Sequence, residues 1–130
     1  MRDVLFRGKP INKAFGDKFI YGSLGVIRED LVAIYDCLEF TEDIRHFVIP
    51  ETVGQYTGLT DKNGTKIFEG DIVQSIELEL KGIIVFDEHC RFMIKEFPTG
   101  ATYLISYNND EIQVIGNIHD NPEVLGGVAK

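Results

Sequence analysis

The stretch that most constrains the fold is GLTDKNGTKIFEGDIV, residues 58–73, where turn-forming residues recur every few positions. Asn63-Gly64 is a strong hairpin signal because both residues tolerate a positive φ. Gly70 can form a second tight turn, in which the Asp71 side chain can hydrogen-bond its own backbone. Only a brief strand, Lys66 to Phe68, fits between the two turns, so the segment predicts a scaffold rather than a reactive site. The residues assigned to structural turns are Gly58, Asn63, Gly64, Gly70 and Asp71.

Short runs of branched and aromatic residues predict strands along most of the chain. The predicted strands are 3–7, 18–21, 31–35, 66–68, 72–80, 82–86, 91–97, 103–106 and 111–115. In the longest of them, apolar residues alternate with Glu77 and Glu79, which is the period of a half-buried strand. Residues 41–47 instead predict a helical turn, because Thr41 can cap it and acidic residues follow at once.

Five or six short strands joined by tight turns are typical of a small barrel. The fold class predicted is therefore mostly β, α+β at most, with an SH3-like barrel on the C-terminal side. We expect an N-terminal β-rich element over residues 1–47, the barrel over 48–125 and a flexible tail over 126–130. The boundary between the first two parts is expected near residues 46–52.

Charge and hydropathy narrow the functional classes. The net charge of −8 disfavours a general binder of nucleic-acid backbones, which needs Lys and Arg to neutralise phosphates. No apolar run reaches the roughly 20 residues of a membrane span, and the first ten residues lack the apolar core of a signal peptide. Cys37 and Cys90 lie far apart, outside any CxxC pair. We expect a cytoplasmic protein with no membrane partner and no disulfide.

The segment VIPETVGQYTGLTDKNGTKIFEGDIV, residues 48–73, resembles the central signature of the YopX family of phage and prophage proteins. Further similar elements are Phe6-Arg7-Gly8-Lys9, Tyr21-Gly22-Ser23-Leu24, Val114-Ile115-Gly116-Asn117-Ile118 and Asn121-Pro122-Glu123. Two positions depart from the pattern: Phe19-Ile20 stands where Trp-Val is frequent, and His119 stands where an aromatic is common. The resemblance implies a mostly β fold and ring-like homo-oligomers, pentamers among them, and it implies no catalytic residues.

Candidate catalytic and metal-binding residues have weak sequence support. His46, His89 and His119 are widely spaced, whereas metal-binding histidines usually lie close together in sequence. Around Gly64, the order of Gly, Thr and Lys does not match a phosphate-binding P-loop. Cys37 lacks a basic neighbour that would lower its pKa. We therefore assign no catalytic, cofactor-binding or metal-binding residue, and no cofactor.

An aromatic–basic cluster would favour binding of single-stranded nucleic acid. The one such cluster apparent in the sequence contains Phe86, Arg91, Phe92, Lys95 and Phe97. On a strand, however, Phe92 would lie on the face opposite Arg91 and Lys95, because successive side chains alternate. Core packing is therefore the favoured interpretation of this aromatic residue.

The leading hypothesis is a non-enzymatic phage accessory protein that binds protein, itself included. Because the predicted N-terminal strands are short and have open edges, Phe6, Phe19 and Tyr21 are the expected oligomer-interface residues. An unidentified host or phage protein is the other expected partner. The alternatives are a nucleic-acid-binding barrel, which the charge disfavours, and a small hydrolase or metal enzyme.

Overall fold

The computed structural model of the 130-residue chain describes residues 5–36, 44–75, 81–89, 91–97, 102–104 and 112–125. It contains two compact units, Met1–Tyr56 and Thr57–Lys130. Strands dominate both units, which confirms the prediction of a mostly β fold. No helix in the described ranges combines the length and apolarity needed to cross a membrane.

Eleven strands are present in the described residues. They are β1 Phe6–Gly8, β2 Ile20–Arg28, β3 Leu31–Asp36, β4 Ile44–Val48, β5 Gly54–Thr60, β6 Lys66–Phe68, β7 Asp71–Ser75, β8 Lys81–Phe86, β9 Phe92–Phe97, β10 Thr102–Leu104 and β11 Ile112–Asn117. Short 3₁₀ helices occupy Lys13–Phe15, Pro50–Thr52 and Pro122–Leu125.

The first sheet has the strand order β4-β3-β2-β1-β5-β6, and the boundary between the two units falls within β5. The sheet of the N-terminal unit curls, so that the segment just after β1 meets the end of β4. Pro10 forms a bridge with Val48 there. The amide of Ile11 donates to Phe47 O at 3.0 Å, and the amide of Ile49 donates to Lys9 O at 2.8 Å.

The core of the N-terminal unit follows from the two-residue alternation of its strands. Leu24 lies opposite Ile34, and Val32 lies opposite Val48. Their common face buries Val32, Ile34 and Val48, against which Phe6, Ile20, Leu24 and Val53 pack. Gly22 permits β2 to approach β3 closely, since a Cβ there would lie 2.1 Å from Tyr35 O.

The second sheet, in the C-terminal unit, has the order β10-β9-β8-β7-β11, with antiparallel neighbours throughout. The core of the C-terminal unit contains Ile67, Val73 and Ile84. Four partly buried residues pack against this cluster: Phe92, Ile94, Ile112 and Val114. Phe92 thus lies on the core face, as its position in the strand predicts.

Two sequence-based predictions about the N-terminal unit are wrong. Residues 44–47 of the predicted helical turn belong to strand β4, because pairing with β3 and burial of Val48 outweigh the local capping preference, and residues 41–43 lie outside the described residues. The strands at 6–8 and 20–28 are not open edges either. Strand β1 lies between β2 and β5, and β2 lies between β1 and β3. The predicted strand residues 76–80 and 105–106, as well as Cys37 and Cys90, lie outside the described residues.

Candidate interaction surface of the N-terminal unit

The three glycines of the opening segment have positive φ angles; Gly64 and Gly70 lie in turns, whereas Gly58 lies within strand β5 rather than in the predicted turn. Gly58, Gly64 and Gly70 have φ angles of 89°, 81° and 93°, a region that disfavours residues with a Cβ. Gly70 is also tied into the sheet through both of its backbone polar groups. Its amide donates to Ile84 O at 2.8 Å, and Ile118 N donates to its carbonyl at 3.0 Å.

Asp61, which the sequence analysis did not single out, organises the loop around Asn63-Gly64. Its Oδ1 accepts hydrogen bonds from the amides of Asn63 at 2.8 Å and Thr65 at 2.9 Å. Its Oδ2 accepts from Val114 N at 2.9 Å, which joins the loop to β11. The side-chain signal was present in the sequence, because Asp at the start of a turn often accepts from amides further along.

The pKa of Asp61 reflects this position. Burial, with only 6% of the residue exposed, would raise the pKa. The hydrogen bonds donated by Val114, Thr65 and Asn63 have the opposite effect and hold the pKa below its ordinary value. Asp61 therefore remains an ionised acceptor for three amides, which suits it to a structural role.

In the second turn, too, an aspartate side chain accepts a hydrogen bond from a backbone amide. Asp71 is 3% exposed, and its Oδ2 accepts from Phe68 N at 2.8 Å. The buried Thr57 hydroxyl donates to Ile67 O at 2.8 Å and joins the start of the segment to β6. These side chains are hydrogen-bonded to the backbone, which supports the scaffold interpretation of residues 58–73.

The histidines lie in three separate settings. His46 is on β4, where its ring centroid lies 5.0 Å from that of Phe15 and the two rings are nearly perpendicular. His89 lies in the exposed turn between β8 and β9, 3.8 Å from Glu88. His119 follows β11, where its amide donates to Asn117 Oδ1 at 3.0 Å. Within the described ranges, no three His, Cys, Asp or Glu residues come together in a group that could hold a metal.

The exposed apolar side chains are distributed unevenly between the two units. Among the described residues, six large hydrophobic residues are exposed, and five of them belong to the N-terminal unit. These five are Ile11 at 51%, Phe15 at 58%, Tyr21 at 46%, Val26 at 66% and Ile27 at 48%. The sixth is Phe86 of the C-terminal unit, at 42%. Isolated exposed hydrophobic residues are common on protein surfaces, whereas contiguous exposed apolar patches are typical of contact surfaces.

Val26 and Ile27 form what we call the hairpin pair, beside the turn that joins β2 to β3. The pairing register shifts between Val26 and Arg28, which marks a bulge. Beyond it, Arg28 Nε donates to Asp30 Oδ1 at 2.9 Å. The hairpin pair is thus two consecutive exposed apolar residues beside a polar turn.

Ile11 and Phe15 form what we call the loop pair, in the connection between β1 and β2. The 3₁₀ helix within this connection is capped by Asn12, whose Oδ1 accepts from Ala14 N at 2.9 Å. The Phe15 ring contacts His46, and the residue remains largely exposed.

A cation–aromatic cluster lies beside the loop pair. The Arg7 guanidinium is 4.1 Å from the centroid of Phe19, and Lys9 Nζ is 4.3 Å from the same centroid. Tyr21 lies opposite Arg7 across the strands, with its ring centroid 6.4 Å from that of Phe19. The expectation of a single aromatic–basic cluster, at 86–97, is therefore wrong, because cross-strand pairing brings together residues that are separated in sequence.

The three predicted interface residues have different environments. Phe6 packs against the core of its own unit, which leaves it little contact area for a partner. Phe19 is half-buried and has Arg7 and Lys9 on its ring. Tyr21 is exposed. The loop pair and the hairpin pair are not recognisable from the sequence, because the sequence does not show which apolar residues of a predicted strand or loop are exposed.

Comparison with protein-family models identifies the relatives of this fold. The model described as YopX protein matches residues 23–126, which is most of the chain. The chain belongs to the YopX family. Phe6-Arg7-Gly8-Lys9 precedes the matched residues. A comparison with curated proteins finds no match.

A solved structure shares the fold. The crystal structure of protein EF1440 from Enterococcus faecalis aligns with a TM-score of 0.60 and 21% sequence identity. The alignment covers 96% of this chain and 99% of EF1440. At this identity the similarity concerns the fold alone.

Proposed function

We propose that this YopX protein is a non-enzymatic accessory protein of a phage or prophage, active in the host cytoplasm through protein–protein contacts that include self-association. Its C-terminal unit is proposed to be an SH3-like barrel that acts as a scaffold. Its N-terminal unit is proposed to supply the contact surface, through the loop pair, the hairpin pair and Tyr21. The expected assembly is a homo-oligomer larger than a dimer, with a pentamer as one form.

The observation that supports this proposal is the uneven exposure of large hydrophobic residues, five of six being in the N-terminal unit of the described chain. Full burial of an aliphatic side chain contributes about 1.5–3 kcal/mol. Val26 and Ile27 are already partly buried, at 66% and 48% exposure, so burial of the rest of the hairpin pair would change an association constant by about one to two orders of magnitude. Tyrosine, phenylalanine and arginine are also enriched in protein interfaces.

Light scattering coupled to size exclusion tests the proposal. At tens of micromolar we expect the wild-type chain to elute as an oligomer, and Val26→Ser/Ile27→Ser and Ile11→Ser/Phe15→Ser each to lower the mass. Phe86→Ser is the matched control, because it removes an exposed aromatic from the other unit. A wild-type mass of 14.7 kDa at these concentrations would refute self-association. An equal loss of mass in the control would place the contact surface elsewhere.

A second candidate function is binding of single-stranded nucleic acid, which the cation–aromatic cluster favours. Two features make it the weaker candidate. Arg7 is only 5% exposed, and Lys9 Nζ already donates to Asp17 O within its own unit. Retarded migration of single-stranded DNA that weakens with salt and with Lys9→Ala would favour this function over the first. Unchanged migration at low micromolar protein would exclude it.

A further inference from the structure

A cavity of about 120 Å³ lies in the C-terminal unit, open to solvent on one side. Its walls include Val73 and Ser75 of β7, Gly82 of β8, Ile94 and Glu96 of β9 and Ile112 of β11. The cavity is separate from the contact surface proposed above, since all of these residues belong to the second unit.

The pairing register explains why space remains at this position. Gly82 lies between Val73 and Glu96 across three neighbouring strands and contributes no side chain to the shared face. In the next row, the small residue Ser75 lies opposite Ile112. Ile94 covers Gly82 closely, because a Cβ on Gly82 would lie 2.6 Å from Ile94 Cγ2. Ser75 and Ile112 are the described lining residues of that next row.

The lining determines which ligands are compatible. Val73, Ile94 and Ile112 give apolar walls. Lys81 also borders the cavity, but its Nζ donates to Val124 O at 3.3 Å, toward the C-terminal 3₁₀ helix. Although Glu96 is among the lining residues, the lining surface is almost entirely apolar, and the unit as a whole has six Lys and Arg against twelve Asp and Glu, a net of −6. This environment disfavours an anion.

We propose that this cavity is a binding site for a small uncharged apolar molecule, of the size of a single aromatic ring or a chain of five or six carbons. Engineered apolar cavities of about 150 Å³ remain dry and bind benzene, so the volume is of the right order. At an efficiency per atom between that of drug-sized ligands and the ceiling for the smallest ligands, a ligand of about seven heavy atoms reaches a Kd of about 1 mM. The proposal is independent of self-association.

Titration of ¹⁵N-labelled protein with toluene tests this site, with benzoate as the charged probe of similar size. We expect saturable shifts of the amides of Ser75, Gly82 and Ile112 with toluene, at least tenfold weaker binding of benzoate, and loss of the toluene response in Ser75→Leu, which fills the space. Ile112→Phe is a second filling variant in case Ser75→Leu does not fold. Absent or unsaturable shifts in the wild-type protein, equal binding of benzoate, or an unchanged response in a folded filling variant would each overturn the proposal.

Discussion

The two units differ in how they use their polar and apolar residues. In the C-terminal unit, Asp61, Asp71 and Asp87 direct their carboxylates to backbone amides and fix turns. In the N-terminal unit, large apolar side chains are exposed instead. The charge follows the same division: the N-terminal unit has seven Lys and Arg against nine Asp and Glu, a net of −2, whereas the other has −6. The comparison supports the proposal that the segment with the densest turn signals forms the architecture and that the other unit makes the contacts.

The largest effect on stability is expected for Asp61→Ala. The substitution leaves the amides of Asn63, Thr65 and Val114 without their acceptor, and the cost is about 3 kcal/mol after partial compensation by water. Urea unfolding measures it, with Lys62→Ala in the same loop as the exposed control. A loss below about 1 kcal/mol would show that the loop does not depend on this carboxylate.

A somewhat smaller effect is expected for the turn glycines. Gly70→Val should cost about 2 kcal/mol, because Gly70 is buried and has φ at 93°. Gly64→Val should cost about 1 kcal/mol, since its φ is also positive but open space surrounds the added Cβ. Thermal unfolding gives the order. Unchanged melting temperatures for both variants would reject the scaffold interpretation of residues 58–73.

The pH dependence of stability should identify Asp61 directly. Because its folded pKa is lowered, its contribution is fully present above the ordinary pKa of Asp and is lost as pH falls through the lowered folded pKa. The difference in unfolding free energy between wild type and Asp61→Asn should therefore shrink between about pH 5 and pH 2. Asp30→Asn, at an exposed position, is the control. A difference that is independent of pH in this range would contradict the assignment.

The cation–aromatic cluster should contribute less. Phe19→Leu keeps an apolar side chain but removes the ring beneath Arg7 and Lys9, at a cost of about 1 kcal/mol. Phe47→Leu is the matched variant, because Arg45 lies 4.8 Å from its ring centroid at a more exposed position. Urea unfolding should show the smaller loss for Phe47→Leu, and the reverse order would indicate that burial of Arg7 adds nothing to this contact.

The smallest change in stability is expected for His89→Ala. The side chain is 67% exposed, and its one described ion-pair contact is with an exposed glutamate at 3.8 Å, so the free energy of unfolding should stay within about 0.5 kcal/mol of wild type. Differential scanning calorimetry is sufficient. A larger loss would mean that the turn between β8 and β9 depends on the His89 side chain.

The sequence predicted local features well where short-range chemistry decides the structure. The positive φ at Gly64 and Gly70 follows from residue type, and the position of Phe92 on the core face follows from strand alternation. Residues 44–47 form a strand rather than the predicted helical turn, because a helix cap is a preference of the local sequence, whereas β4 depends on pairing with β3. The cation–aromatic cluster was missed for the same reason, since Arg7 and Phe19 meet only through the register of β1 and β2.

Hydrogen–deuterium exchange at two protein concentrations tests the central claim that contacts are made by the N-terminal unit and supported by the other. Raising the wild-type concentration from about 1 to about 100 μM spans the range in which a micromolar contact forms. The account predicts added protection in peptides covering residues 11–15 and 20–31, with unchanged exchange across 57–75. Added protection confined to residues 57–75, with none in the N-terminal peptides, would contradict it.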